Sequence, residues 1–267
     1  MEYLGYIAAI FIGILLGLIG AGGSILTIPV LVYLIGVEPV HATSYSLFIV
    51  GASAFIGGLR YMKNNLICLC TMLVFGIPSI ISIFFTRKYL LHRIPDHLFY
   101  IGSMEITKSA LLMILLALLM IVASYTMIRK PSSVRIDLHK HNNEQYRYFL
   151  IFQQGFLVGI LVGLVGAGGG FLIIPALVVL AKLPMKKAVG TSLAIIAINS
   201  SVGFLSDFGE HQFNWNFILI FSGFAISGII LGSYLSKNVS GAKLKPGFGW
   251  FILVMGVYII SKELFFS

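Results

Sequence analysis

Long apolar blocks without charged residues alternate with short polar stretches along the whole chain, and they divide into ten segments, five in each half. In the first half the segments cover residues 3–19, 25–36, 43–60, 66–86 and 107–128. In the second half they cover residues 149–165, 171–181, 190–206, 215–236 and 247–265. Most of them approach the length of about 20 apolar residues that a helix needs to cross a bilayer. The pattern therefore predicts an all-α polytopic membrane protein.

The two halves are related by an internal repeat. The stretch at residues 17–32, GLIGAGGSILTIPVLV, has a second copy at residues 163–178, GLVGAGGGFLIIPALV. An offset of 146 residues aligns the two copies, and about half of the positions from 17 to 47 are identical. The match predicts a duplication with a first repeat at 1–128, a cytoplasmic linker at 129–148 and a second repeat at 149–267.

The segments that follow the two glycine clusters, 25–36 and 171–181, are short. Each holds about a dozen residues, which is about 18 Å of helix at 1.5 Å per residue. Either the glycines join two pieces into one crossing, or the chain turns back there as a re-entrant hairpin. Basic residues favour the hairpin, because it places 13 of the 18 Lys and Arg residues on one face, whereas a through-crossing divides them about 8 against 10. Cytoplasmic loops are enriched in Lys and Arg.

The hairpin arrangement has further consequences for topology. It places both termini outside the cytoplasm, and the first apolar block lacks the basic flank of a cleavable signal peptide. Since each repeat then has an odd number of segments, the second repeat is inverted relative to the first. The predicted fold is therefore two inverted repeats of about five helical segments each, with glycine-broken hairpins, as in many secondary transporters.

Composition excludes several other classes of protein. The chain is 58% hydrophobic and 10% charged, with a mean hydropathy of +1.00, whereas soluble domains carry nearer a quarter charged residues. The net charge of +9 is explained by basic cytoplasmic loops, so no nucleic-acid partner is predicted. Cys68 and Cys70 have no histidine partners, and we predict neither a metal site nor any other cofactor. The six histidines lie in loops or at segment ends, so no catalytic residue and no enzymatic activity are predicted.

The glycine clusters are the first candidates for substrate binding. Irregular backbone within a bilayer survives only where protein or a water-filled cavity covers it. Glycine permits a positive φ and a close approach, and the helix after each cluster directs free N–H groups and a partial positive charge toward it, which suits an anion. The candidates are Gly20, Ala21, Gly22, Gly23 and Ser24 in the first copy, and Gly166, Ala167, Gly168, Gly169 and Gly170 in the second. At four-residue spacing, the glycines of the preceding helices are instead expected to pack against other helices; they are Gly13, Gly17, Gly155, Gly159 and Gly163.

The third segment of each half supplies the other polar candidates. They are Ser46 and Ser53 in the first half, and Thr191, Ser192 and Asn199 in the second. An asparagine in the middle of a membrane is costly to leave unpaired, so Asn199 either bonds another helix or lines a pathway.

Charged residues are expected to be absent from the interior. No segment contains Asp, Glu, Lys or Arg away from its ends, and Arg60, Lys108 and Asp207 at segment ends are expected to reach toward the interface. Hydroxyls, amides and backbone N–H groups then remain as ligands. Because donors dominate this set, an anion is favoured over a cation.

The doubled motif G-x-x-G-A-G-G-[SG]-x-[LI]-x-I-P, followed by ATSYSL at residues 42–47 and AVGTSL at residues 188–193, resembles the TauE/SafE sulfite-exporter family, also called TSUP. The resemblance covers nearly the whole chain and implies transport of sulfur-containing anions or organic acids, such as sulfite, thiosulfate or a sulfonate. Its motif positions fall here on Gly20, Gly22, Gly23, Pro29 and Ser46, and on Gly166, Gly168, Gly169, Pro175, Thr191 and Ser192.

The expected function is therefore secondary transport of a small sulfur-containing or organic anion across the plasma membrane, a bacterial inner membrane, by alternating access. The expected partners are the lipid bilayer and the anion, and no oligomeric state is assigned. A passive anion channel on the same scaffold is the alternative, because a duplicated backbone site suits both.

Overall fold

A computed structural model of the chain describes residues 2–20, 23–95, 97–101, 104–128, 144–179, 181–209, 213–236 and 241–265. These residues are almost entirely helical. The helices are α1 (Glu2–Ile19), α2 (Ser24–Pro29), α3 (Pro39–Lys63), α4 (Leu69–Phe85), α5 (Leu91–Arg93), α6 (Lys108–Ile128), α7 (Glu144–Val165), α8 (Gly170–Val179), α9 (Met185–Asp207), α10 (Trp215–Leu235) and α11 (Gly241–Phe265). Two π-helices, Val30–Ile35 and Thr86–Leu90, continue α2 and α4. A β-hairpin of β1 (His97–Ile101) and β2 (Met104–Thr107) precedes α6.

Each of the ten predicted segments corresponds to a helix, and the all-α polytopic membrane class is confirmed. Among the described residues, six helical stretches are long and apolar enough to cross a membrane: Pro39–Lys63, Leu69–Leu90, Lys108–Tyr125, Tyr148–Val165, Met185–Asp207 and Trp215–Leu235. The short segments correspond to α2 with its π-helix and to α8. The β-hairpin has no counterpart in the predicted segments. Of the predicted linker, residues 129–143 lie outside the described part of the chain, and α7 begins at Glu144.

Helices α3 and α9 form the centre of the protein. In each of them 72% of the apolar window is buried, against 39–50% in the other four spans. They are antiparallel, because Gly203 of α9 packs on Leu47 near the start of α3, while Gly190 packs on Tyr61 near its end.

Glycines bring the flanking helices into close contact. A methyl group on Gly13 of α1 would overlap the carbonyl oxygen of Ala225 on α10, and one on Gly17 would lie 2.5 Å from the carbonyl oxygen of Ile229. Helix α7 packs on α4 in the same way through Gly155, Gly159 and Gly163. Small residues allow membrane helices to approach this closely, and the predicted packing role of these glycines is confirmed.

The order of the contacts gives the relative directions of the helices. Helices α1 and α10 are parallel, since successive glycines of α1 meet successive turns of α10. Helix α10 is also parallel to α3, because the hydroxyl of Tyr45 accepts a hydrogen bond from the backbone N–H of Asn214, and Gly57 packs on Ile229. Helices α1 and α3 therefore run in the same direction.

The second half shows the same relation with the helices exchanged. Helices α7 and α4 are parallel, because Gly155 meets Phe75 and Gly163 meets Ile83. Helix α9 is parallel to α4 as well. Thr191 near the start of α9 is hydrogen-bonded to Cys68 just before α4, and Asn199 in the middle of α9 is hydrogen-bonded to Ser79 in the middle of α4. Helices α7 and α9 therefore run in the same direction.

Buried apolar side chains form two clusters around the central pair of helices. One cluster includes Ile25, Met113, Phe171 and Phe221, and the other includes Phe75, Ile174 and Ile196. Many large apolar side chains lie on the outside instead; for example, Leu205 is 65% exposed. A bilayer covers such a surface, which a soluble monomer rarely presents to water.

Candidate functional site

The two glycine clusters form buried breaks between helices. Four of their described glycines have the left-handed backbone that other residues rarely adopt: Gly20 (φ +80°), Gly166 (φ +74°), Gly168 (φ +64°) and Gly169 (φ +73°). Without a β-carbon, glycine adopts this conformation at little cost. Two of the predicted residues, Ala21 and Gly22, lie outside the described part of the chain.

Helices begin directly after both breaks. Gly23 has a helical backbone (φ −68°) and precedes α2, whose first residue Ser24 is buried. Ala167 is 1% exposed, and α8 begins at Gly170. The first backbone N–H groups of a helix have no partner within the helix. The second break therefore directs the first N–H groups of α8 into the protein interior, where those of Leu172 and Ile173 donate to the carbonyl oxygen of Gly169.

Each break packs against the third helix of the other half. Gly20 lies against the side chain of Val189 on α9, and its carbonyl oxygen accepts a 3.4 Å hydrogen bond from Ser192. Gly166 lies against Thr43 on α3. Thr43 and Val189 are equivalent at the 146-residue offset, so the two breaks contact equivalent positions that carry different side chains.

Gly168 lies close to both α3 and α9. A β-carbon at Gly168 would be 2.7 Å from Cγ1 of Val50 on α3 and 3.1 Å from the hydroxyl oxygen of Ser200 on α9. That hydroxyl is buried and has no hydrogen-bond partner among the described residues. Ser200 is not among the predicted site residues, although its position directly after Asn199 was a usable signal.

The predicted polar residues on α3 and α9 are all buried, but they differ in their hydrogen bonds. Thr191 accepts a 3.0 Å hydrogen bond from the backbone N–H of Cys68, and Ser192 donates to the carbonyl of Val189 at 2.8 Å. Both are thus engaged in holding the structure. The hydroxyls of Ser46 and Ser53 have no partner among the described residues.

Asn199 combines both situations. Its Nδ2 donates a 2.8 Å hydrogen bond to the hydroxyl of Ser79 on α4, while its Oδ1 is buried without a partner in the described residues. An unsatisfied buried polar group costs about 1–3 kcal/mol. Such groups usually bind a water molecule or a ligand. The oxygens of α3 and α9 that have no partner among the described residues are therefore positions where a polar molecule would find hydrogen-bond partners in the interior.

Arg87 and Asp207 correct the prediction that the interior holds no charge. Their side chains are 0% and 2% exposed, and Nη1 of Arg87 donates to Oδ2 of Asp207. Two hydroxyls of α3 complete the cluster. Ser44 donates to Asp207 and accepts a 3.3 Å hydrogen bond from Arg87, and Thr43 accepts a 2.9 Å hydrogen bond from Nη2 of Arg87.

The error has a physical reason. Both residues lie at the ends of apolar segments, where long charged side chains usually reach the interface. Here α4 continues through the π-helix Thr86–Leu90, and α9 extends as far as Asp207. The charges therefore lie inside the bundle, opposite each other and opposite α3.

The guanidinium group of Arg87 is part of the second glycine break. A β-carbon on Gly166 would lie 2.8 Å from Nη2 of Arg87. Arg87 thus adds a cation to the place where the break, the start of α8 and the hydroxyl of Thr43 meet. The residue equivalent to Arg87 in the second half is Ser233, whose hydroxyl accepts a 2.9 Å hydrogen bond from the half-buried Arg60.

Comparison with known proteins shows which family and which relatives this chain is similar to. The family described as "Sulfite exporter TauE/SafE" matches residues 5–259. A "Probable membrane transporter protein" of Xylella fastidiosa is 27% identical over 255 residues, covering 94% of this chain and 92% of the relative. The Bacillus subtilis "Probable membrane transporter protein YunE" is 26% identical, covering 97% of this chain and 99% of the relative. The "Probable membrane transporter protein YjnA" of the same organism is 29% identical, covering 94% and 96%.

No solved structure matches the chain significantly. The family match extends over nearly the whole length of the chain. The predicted resemblance is confirmed: the chain belongs to the TauE/SafE family of membrane transporters.

Proposed function

We propose that the protein is a secondary transporter that moves a small sulfur-containing or organic anion, such as sulfite, thiosulfate or a sulfonate, across the plasma membrane by alternating access. The observation that carries the proposal is the convergence of buried donors on the second glycine break. The backbone N–H groups at the start of α8, the hydroxyl of Ser200 and the guanidinium of Arg87 lie around Gly166 and Gly168. Such donors stabilise a desolvated anion.

The relation between the halves supports alternating access. Contacts recur with the halves exchanged: Gly57 packs on Ile229, and its equivalent Gly203 packs on Ile83, the equivalent of Ile229. The equivalent helices α3 and α9 run in opposite directions. This relation supports the proposed inversion of the two repeats, in which exchanging their conformations would open the central site to either face.

The helix directions also support the glycine-broken hairpins. Since α1 and α3 run in the same direction, the chain between them returns to the level where α1 began, and the same holds for α7 and α9. With the basic loops in the cytoplasm, both termini then lie outside.

The proposed substrate-binding residues are those of the breaks and of the central helices. They are Gly20, Ala21, Gly22, Gly23, Ser24, Gly166, Ala167, Gly168, Gly169 and Gly170, with Ser46, Ser53, Thr191, Ser192 and Asn199. Among them, Gly168, Ser46, Ser53 and Asn199 have the strongest support, because they lie beside or contribute buried oxygens without partners in the described residues.

Counterflow tests the proposal. The purified protein is reconstituted in vesicles of phosphatidylethanolamine and phosphatidylglycerol, and entry of radiolabelled sulfite is measured with and without unlabelled sulfite inside. A carrier gives saturable entry that internal sulfite accelerates. Entry that rises linearly with concentration and ignores internal sulfite would indicate a channel. If sulfite, thiosulfate and methanesulfonate all enter no faster than into empty vesicles, anion transport is wrong.

A further inference from the structure

We propose that Arg87 is the cationic ligand of the transported anion and that Asp207 takes the place of the anion when the site is empty. The buried pair is then a gate that the substrate opens by competing with Asp207. This inference rests on the proposed function and names the charged group of the same site.

The position of the guanidinium is the first support. Nη2 of Arg87 would lie 2.8 Å from a β-carbon on Gly166, which is two residues before Gly168 and four before the start of α8, so its charge lies beside the second break. Nη2 of Arg87 and the hydroxyl of Thr43 are hydrogen-bonded there. A salt bridge whose role was only to join two helices would not need to lie beside a glycine break.

The chemistry of the pair, in which Nη1 of Arg87 donates to Oδ2 of Asp207, is the second support. A guanidinium presents a planar set of donors that matches the two oxygens of a carboxylate, and it binds other oxyanions in the same manner. Sulfite, sulfonates and organic acids all present two such oxygens on one atom. The carboxylate of Asp207 therefore resembles the charged group of the proposed substrates, although it is part of the protein.

Charge balance makes the two anions competitors. Among the described residues, Arg87 and Asp207 are the buried charged residues of this cluster, and their charges cancel. A second anion beside Arg87 would leave an excess negative charge in the interior, and an ion without compensation costs several kcal/mol there. The substrate therefore binds Arg87 only when Asp207 leaves it.

Displacement of Asp207 would release three parts of the fold. The cluster joins α9 through Asp207, α3 through Thr43 and Ser44, and the π-helix after α4 through Arg87. Single π-helical turns are frequent at functional sites. Breaking the pair thus frees the elements that close the protein on the face where α3 begins.

The opposite face lacks such a closure. At the position equivalent to Arg87, the hydroxyl of Ser233 accepts a hydrogen bond from Arg60, and within the described part of the chain no carboxylate pairs with Arg60. One face is thus held by a buried ion pair and the other by a hydrogen bond of a half-buried arginine. The gate belongs to one face only.

Three variants at the pair test the inference, with binding of radiolabelled sulfite to the purified protein as the measurement. Asp207→Asn removes the competitor and should lower the Kd for sulfite about tenfold or more. The double variant Arg87→Gln with Asp207→Asn keeps neutral hydrogen-bonding groups and should raise the Kd about tenfold to a hundredfold. The exchanged variant Arg87→Asp with Asp207→Arg keeps an ion pair but moves the cation away from Gly166, and it should fold without binding sulfite.

Lys88→Gln is the matched control, because it removes a positive charge from the next residue of the same π-helix, where the side chain is exposed. It should leave the Kd unchanged. If the exchanged and double variants bind sulfite like the wild type, the pair only joins helices and the inference is overturned. Failure of all three variants to fold would likewise make the pair a structural requirement and overturn the gate. Absence of saturable flux in the wild type, by contrast, would refute the proposed function itself.

Discussion

Gly168→Ala should weaken anion binding more than it weakens the fold. The backbone at Gly168 has φ +64°, and an added β-carbon would lie 2.7 Å from Cγ1 of Val50 and 3.1 Å from the hydroxyl oxygen of Ser200. The methyl group would thus enter the space beside the unpaired hydroxyl. It would also block the approach of an anion to the backbone N–H groups before α8.

The magnitude follows from two contributions. A left-handed backbone costs a residue with a β-carbon about 1–2 kcal/mol relative to glycine, and this lowers stability. Loss of one charge-assisted hydrogen bond to the anion costs about 1.5–3 kcal/mol. At 1.4 kcal/mol per decade, the affinity for the anion should fall roughly tenfold to a hundredfold.

Binding of radiolabelled sulfite and thermal unfolding of the same detergent-solubilised preparations measure the two effects separately. Gly36→Ala is the matched control, because Gly36 also has a left-handed backbone (φ +84°) but has no atom within 4 Å of the added methyl group. It should lower the Tm through the backbone contribution alone, and so by less than Gly168→Ala, and it should leave the affinity unchanged. Gly13→Ala, which presses against the backbone of α10, should disturb packing more than binding.

A Gly168→Ala protein that is well folded and binds sulfite with wild-type affinity would refute the reasoning. The second break would then be a structural turn. The binding site would have to lie at Ser46, Ser192 and Asn199 instead, and the equivalent Gly22→Ala substitution should be equally silent.

Three further predictions concern other parts of the chain. A single cysteine at Glu38 should react with an impermeant thiol reagent from outside the cell and one at Ser133 from inside, and labelling of both from one side would contradict the hairpin arrangement. Asn199→Leu should lower the free energy of unfolding by about 1–3 kcal/mol, because it removes the donor to a buried serine hydroxyl of α4; an unchanged unfolding curve would show that this bond contributes nothing. The hydrogen bond with Thr71 is the main cause that lowers the pKa of the Cys68 thiol, so Cys68 should be alkylated at lower pH than a free cysteine. Thr71→Val, with the other cysteine removed, should move its alkylation profile to higher pH, and an unmoved profile would assign the shift to another cause.

The helical segments could be predicted from the sequence because a bilayer imposes one requirement on all of them. A spanning helix must be apolar over a fixed length, so hydropathy alone located segments such as 43–60 and 190–206, which the structure extends to Pro39–Lys63 and Met185–Asp207. The hairpin of β1 and β2 could not be found in this way. Its strands of five and four residues are short and carry no bilayer constraint.

The glycine breaks could also be predicted, because an unusual backbone conformation is the main structural reason for consecutive glycines within an apolar run. The positive φ of Gly168 agrees with that reasoning. The buried pair of Arg87 and Asp207 could not be predicted, since position along a segment does not give depth in the bundle. The depth depends on how far α4 and α9 extend beside α3, which is a property of packing between the halves.

The internal repeat makes the remaining differences between the halves informative. About half of the positions from 17 to 47 are identical across the 146-residue offset, so a difference at the breaks is a place where the two halves of the protein differ. Thr43 is matched by Val189, and Arg87 by Ser233. The first difference replaces a hydroxyl by an apolar side chain at the first break, and the second replaces a buried guanidinium by a hydroxyl that is bonded to the half-buried Arg60. A scaffold with two equivalent gates would show no such bias. The buried cation, carboxylate and two hydroxyls at one break therefore support the proposed transport cycle in a form in which the anion meets its charged ligand on one side only.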